Sequence, residues 1–155
     1  MRGKSQIKRP ILTDPIYKSK VVSRLINAVM LHGKKSTSES IVYGALEKIS
    51  ADKKDALTFF EAAIKNVMPT QEVRSKRVGG ATYQVPMPLK HERSEALAVR
   101  WIVDSCRGKS GKPMVDRLFE ELKNAHEGQG SSIKKRDDTH RMAEANRAFA
   151  HFGRF

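Results

Sequence analysis

Five histidines, one cysteine and two adjacent aspartates are the residues that could do chemistry, but their spacing predicts neither catalysis nor metal binding. His140 and His151 are eleven positions apart, close to three helical turns, and no third ligand lies near them in sequence. Cys106 lies on an apolar helix face, which favours a small buried side chain over a nucleophile. Asp137 and Asp138 are typical of a helix N-terminus, where negative charge complements the helix dipole. The sequence therefore predicts no enzyme, no cofactor and no metal.

Positive charge is the dominant property of the chain. It has 30 Lys and Arg against 17 Asp and Glu over 155 residues, a formal net charge of +13. Such an excess favours a polyanionic partner, with nucleic acid first. A membrane is not predicted as a partner, because no segment has the roughly 18 consecutive apolar residues of a span.

The cations concentrate in the tail, the loops and a hairpin, where phosphates of an irregular surface could be contacted. The N-terminal tail, 1–14, carries Lys8 and Arg9 before the first acid and is expected to be flexible. The remaining clusters are Lys34 and Lys35; Arg74, Lys76 and Arg77; Arg107, Lys109 and Lys112; and Lys134, Lys135 and Arg136, with Arg141 following.

The elements that must position these cations are mostly helices. Apolar residues recur at three- and four-residue spacing in about six segments, which predicts a mainly α, single-domain bundle over 1–155. The first helix is expected to end near Gly33, the second to be capped by Ser36 and Glu39, and the third to be capped by Asp55. The fourth is expected to start near Glu92 and the fifth at Pro113. The last should run from near Asp137 to near Phe149, with Met142 facing inward.

Residues 72–88 break this helical pattern. The run has β-favouring residues on both sides of Gly79 and Gly80, which can supply the positive φ angles of a two-residue hairpin turn. Pro86 and Pro88 cannot donate ladder hydrogen bonds and confine their strand to a sheet edge. The sequence thus predicts a protruding two-stranded β-hairpin, called the arm below.

Side chains alternate along a strand, so Arg74 and Lys76 should face one side of the arm and Arg77 the other. A ribbon with cations on both faces is not expected to bury either face in its own core. We expect it to lie in a groove lined by phosphates, and to be removable without loss of the helical body. The competing interpretation is a short structural flap with solvated cations.

Three segments of the chain resemble the bacterial small-subunit ribosomal protein seven family. They are RLINAVMLHGKKS near the start, EVRSKRVGGATYQVP in the arm and IKKRDDTHRMAEANRAFAHF at the end. The resemblance covers most of the 155 residues, and the N-terminal dozen fit only loosely.

The resemblance implies a six-helix bundle with a protruding hairpin that binds the 3′ major domain of small-subunit rRNA and organises the subunit head. It also implies the cytoplasmic ribosome as location, with E-site tRNA, mRNA and neighbouring ribosomal proteins as partners. The RNA contacts it points to are Arg74, Lys76, Arg77, Lys34, Lys35, Lys8, Arg9, Arg93, Lys109 and Lys112, while Lys134, Lys135, Arg136 and Arg141 would lie toward the E site.

Two other classes of protein compete with this interpretation. An architectural DNA-binding protein also combines a helical body with basic β-ribbon arms, but it usually inserts an apolar wedge where this arm has glycines. An RNA-modifying enzyme would need a cofactor loop or a catalytic constellation, and the sequence has neither.

Overall fold

The computed structural model describes residues 11–154, so the predictions for Lys8 and Arg9 lie outside the described residues. The described part forms six α-helices, a two-stranded antiparallel sheet and a C-terminal 3₁₀ helix, which confirms the mainly α prediction. The elements are α1 Lys20–Val29, α2 Lys35–Ile49, α3 Lys53–Val67, β1 Gln71–Val78, β2 Ala81–Pro88, α4 His91–Gly108, α5 Met114–His126, α6 Ser131–Ala145 and the 3₁₀ helix Arg147–Arg154.

One cluster of buried side chains joins all six α-helices. Its largest fully buried members include Phe60 of α3, Leu46 of α2 and Ile102 of α4. Cys106 is also fully buried within this cluster, as the sequence predicted for a small apolar side chain. Burial raises the pKa of its thiol to about 12, which disfavours the nucleophilic thiolate.

Several helix ends differ from the predicted boundaries. α1 ends at Val29, four residues before Gly33. α2 begins at Lys35 with no side-chain cap, so the predicted Ser36–Glu39 capping box is wrong. The cap of α3 is Asp52 rather than Asp55, since its carboxylate accepts a hydrogen bond from the Lys54 amide at 2.9 Å.

The last two helices also differ from the prediction. Pro113 is the N-cap of α5 rather than its first helical residue. α6 begins at Ser131, six residues before the predicted start, so the cations from 134 to 136 lie inside this helix and do not precede it. Asp137 and Asp138 therefore lie within the helix and not at its N-terminus. Met142, predicted to point inward, is 52% exposed.

The arm is a two-stranded antiparallel hairpin, as predicted. Val78 pairs with Ala81 next to the turn, and Gln71 pairs with Pro88 at the other end. Gly79 and Gly80 have φ angles of 58° and 90°, so both occupy the left-handed region that glycine tolerates and a two-residue hairpin turn requires.

Candidate nucleic-acid interface

The distal part of the arm is exposed and basic. Arg77 is exposed and pairs with Thr82 across the ribbon, one step from the turn. Arg74 and Lys76 lie farther from the turn and on the other side of β1, as the alternation of side chains along a strand predicts. Arg77 and the exposed turn glycines thus form a narrow tip that a groove could surround.

The rest of the arm, residues 72–76 and 83–88, is called its base below and is in contrast part of the protein body. Val85 is only 1% exposed, and Tyr83 packs against both Phe149 and Phe152, with ring centroids 5.3 and 5.0 Å away. The Lys76 ammonium, opposite Tyr83, donates a hydrogen bond of 2.8 Å to the Phe152 carbonyl. The prediction that neither face of the ribbon is buried is therefore wrong at its base, because β2 packs against the C-terminal 3₁₀ helix.

A buried carboxylate joins the base of the arm to α4. One oxygen of Glu72 accepts from Arg74 Nε and Nη2 at 2.7 and 2.6 Å. The other accepts from Arg93 Nε and Nη2 at 3.4 and 3.3 Å. Glu72 itself is only 9% exposed, whereas the two arginine side chains remain about half exposed. The structure thus brings Arg93, one of the predicted RNA contacts, beside the arm.

The cations of α6 have two different roles. Lys134 and Lys135 are exposed in the first turns of the helix, where positive charge gains nothing from the helix dipole. Arg136 instead donates to the Asn66 carbonyl at the end of α3 and to Asp137, so it links two helices. The Arg141 side chain is 80% exposed and lies 3.5 Å from the Asp138 carboxylate, one turn earlier on the same helix.

The loop between α4 and α5 uses its cations internally. Lys109 Nζ donates to the fully buried Glu121 at 2.6 Å, and Glu121 also accepts from the Ser132 amide and hydroxyl at 2.9 and 2.8 Å. Burial alone would raise the pKa of Glu121, but the bonds from Lys109 and Ser132 outweigh it and hold that pKa below its usual range. Lys112 pairs with Glu120 on α5. These two predicted RNA contacts therefore already have acidic partners within the chain.

The two cations at the start of α2 are exposed. Lys34 is the N-cap residue of α2, and Lys35 forms a 3.6 Å pair with Glu39 one turn along the same helix. Such an exposed pair is weak and exchanges easily for a phosphate. Both residues are therefore accessible to a polyanion.

A further group of cations lines a groove between α1 and α4 and was not predicted as a group from the sequence. Arg24, Arg100 and Arg107 border this groove, which has a volume of about 480 Å³. Arg107 also donates to the Ala28 and Val29 carbonyls at the end of α1. The seven-residue spacing of Arg100 and Arg107 could have indicated from the sequence that both lie on one face of α4. No local pattern indicates that Arg24 of α1 joins them.

The described residues do not assemble a metal-binding cluster. Across 11–154, no group of three or more His, Cys, Asp or Glu side chains could hold a metal ion. His140 instead accepts a hydrogen bond of 3.0 Å from the Thr70 amide at the start of the arm. In the same part of the chain, every helix is too short or too polar to cross a membrane.

Comparison with known proteins decides the family. The sequence model of the family described as "Ribosomal protein S7p/S5e" matches residues 1–147. The chain belongs to this family. It is thus a member of a ribosomal protein family and not of an enzyme family.

Individual relatives agree over nearly the whole length. The chain is 56% identical to a protein of Brucella canis over 146 residues, which cover 94% of each chain. It is 52% identical to a protein of Pelagibacter ubique over 152 residues, 97% of each chain, and 53% identical to one of Pelotomaculum thermopropionicum over 146 residues, 94% of each. All three relatives are named small ribosomal subunit protein uS7.

Proposed function

We propose that this protein is a structural constituent of the small ribosomal subunit that binds the 3′ major domain of its rRNA as a single domain. The observation that carries the proposal is the arm, a basic ribbon that projects from a helical body and leaves Arg77 exposed beside its turn. The family and its relatives, named for the small subunit, support rRNA as the polyanion.

The proposed RNA-binding surface combines the arm with cations on the helical body. The exposed members are Arg77, Lys34, Lys35, Lys134, Lys135 and Arg141, and Arg74, Lys76 and Arg93 join them at the base of the arm. Lys8 and Arg9 belong to the proposal on sequence grounds alone. Lys109 and Arg136 are removed from the primary RNA-binding residues, because a buried acid holds the first and a main-chain carbonyl and Asp137 hold the second. Lys112 stays in the proposal, since its pair with Glu120 is exposed and exchanges easily for a phosphate.

A salt titration tests the proposal. If about six to ten cations bind phosphates, log K should fall with log salt with a slope of roughly −0.7 to −0.9 per bound phosphate. Fluorescence anisotropy with a fragment of the rRNA head domain measures this slope, and duplex DNA of equal length serves as the matched control. Equal affinity for the DNA would favour the architectural DNA-binding alternative, and a slope near zero would show that the net charge does not drive binding.

The proposed position of the protein within the ribosome rests on the same surface. We propose that in the cytoplasmic ribosome the arm and the exposed cations of α6 lie near the E-site tRNA and the mRNA, next to neighbouring small-subunit proteins. Exposed Lys134 and Lys135 support a nucleic-acid partner for α6, since they gain nothing from their position in the helix. Cross-linking from position 134 in purified ribosomes tests this, and products lacking both tRNA and mRNA would contradict it.

A further inference from the structure

The arrangement of Glu72 between two arginines is not explained by stability alone. A buried carboxylate could be neutralised by one arginine, yet Glu72 gives each of its oxygens to a different one. Arg74 comes from β1 and Arg93 from α4, so one acid fixes two cations that lie 19 positions apart in the sequence. Replacement by a well-packed apolar residue would often stabilise a fold as well as a buried ion pair does.

The charges of this group leave a place for an anion. Two guanidinium groups and one carboxylate sum to one uncompensated positive charge, which a single phosphodiester would neutralise. Each guanidinium has five N–H donors and directs Nε and Nη2 toward Glu72, so three donors on each remain for another acceptor. The arginine side chains are 57% and 46% exposed, so these remaining donors have access from outside.

We infer that Glu72 is a positioning residue that presents Arg74 and Arg93 as one binding site for a phosphodiester group of an RNA backbone. This inference rests on the proposed function and assigns a role to an acid within a basic surface. A guanidinium fixed before binding loses less rotamer freedom when it captures a phosphate. Its planar donors also match the geometry of phosphate oxygens better than an ammonium does.

The substitution Glu72→Gln distinguishes positioning from simple electrostatics, because the two predict opposite changes in RNA affinity. Removing a negative charge should tighten RNA binding if the carboxylate only weakens the local potential. Positioning predicts the reverse, since the glutamine amide keeps one acceptor oxygen and turns an NH₂ donor toward one of the arginines. We expect binding of the rRNA head-domain fragment to weaken on the order of tenfold despite the higher net charge.

Glu92→Gln is the matched control. Glu92 is exposed in the first turn of α4, the helix that carries Arg93, so the substitution makes the same charge change nearby without touching the arginine pair. We expect its RNA affinity to stay equal to the wild-type value or rise slightly. If Glu72→Gln binds as tightly as Glu92→Gln, or more tightly, Glu72 does not position the site.

A double-mutant cycle of Arg74→Met and Arg93→Met tests the shared site even if Glu72→Gln does not fold. If one phosphate is held by both arginines, the affinity of the double variant should fall by a much smaller factor than the product of the factors for the two single variants. Losses that multiply would mean two separate phosphate sites and would overturn the inference. A wild-type protein without salt-dependent rRNA binding would instead refute the proposed function, so the two failures are distinguishable.

Discussion

The arm and the α4–α5 loop carry similar charge but use it differently. Each has three basic residues within a few positions, if Arg107 in the last turn of α4 is counted with the loop, and both were predicted to bind RNA. In the loop, Lys109 and Lys112 meet acids of α5, and Arg107 meets carbonyls of α1. In the arm, Arg74 and Lys76 have partners at the base, whereas Arg77 beside the turn is exposed. A run of cations therefore predicts a nucleic-acid interface only where the fold leaves positive charge that internal acids do not neutralise.

The largest difference between the two regions should appear when Lys109 is replaced. Lys109→Met leaves Glu121 buried without its cation, and breaking a buried pair in this way costs about 3 kcal/mol of unfolding free energy. Urea denaturation at pH 7 measures this loss. RNA affinity of the folded variant should hardly change, because this ammonium is already used within the chain.

The pH dependence of Lys109→Met sharpens the same prediction. The folded pKa of Glu121 lies below its reference value of 4.5, so the stabilisation by the pair is present above that pH and is lost as pH falls through the folded pKa. The loss of unfolding free energy in the variant should therefore become smaller toward acidic pH, where protonated Glu121 needs no cation. Lys112→Met, which affects an exposed pair, is the control and should show little deficit at either pH.

The second largest effect should come from the arm. We expect the joint change of Arg74, Lys76 and Arg77 to Ser to weaken rRNA binding by more than roughly tenfold and to flatten the salt slope by about one unit for each phosphate that is no longer bound. An arm that is removable without loss of the helical body, as the sequence predicts, would leave the melting temperature of this variant unchanged. The partners of Arg74 and Lys76 at the base now predict a lower one, so binding must be measured well below both melting temperatures.

A charge-matched control distinguishes the arm from net charge. Joint replacement of Lys53, Lys54 and Lys65 by Ser removes three exposed cations of α3, so both triple variants change the formal charge from +13 to 13 − 3 = +10. The α3 variant should keep most of its affinity. If the two variants weaken binding equally, the arm is not a preferred RNA-binding element and only overall charge matters.

The sequence was sufficient where the signal is local. Apolar stripes indicated six helices, and the Gly79–Gly80 pair indicated the turn, because both depend on neighbouring residues. The start of α6 was not predicted correctly, because the group that caps this helix comes from another helix. The Ser132 amide donates to Glu121 of α5, so the local sequence needs no capping residue of its own.

The buried face of α6 was missed for a related reason. Its buried residues include the polar Ser132 and Thr139, while the apolar Met142 is exposed. Thr139 donates its hydroxyl to the Lys135 carbonyl, and Ser132 bonds to Glu121, so hydrogen bonds make the burial of these polar side chains possible. A hydrophobic pattern cannot indicate such a face, and the internal partners of Lys109 and Arg136 are equally invisible to it.

The smallest effect on the body of the protein should come from the tip of the arm. Gly80 has a φ of 90°, and a Cβ at this position would meet nothing within 4 Å. Gly80→Val therefore introduces backbone strain of about 1–2 kcal/mol without a steric clash against the fold. Because the surrounding ribbon is exposed, the strain should distort the turn and leave the melting temperature of the helical body nearly unchanged.

The consequence for binding distinguishes geometry from charge at the tip. Gly80→Val removes no cation, yet it should weaken rRNA binding several-fold by displacing Arg77, three positions before it. Gly80→Asn is the matched control, since asparagine tolerates the left-handed region far better than a β-branched residue. Affinity should fall in the order Gly, Asn, Val at constant net charge. If the valine variant binds like the wild type, the geometry of the turn does not matter to RNA, and the arm acts only as a carrier of charge.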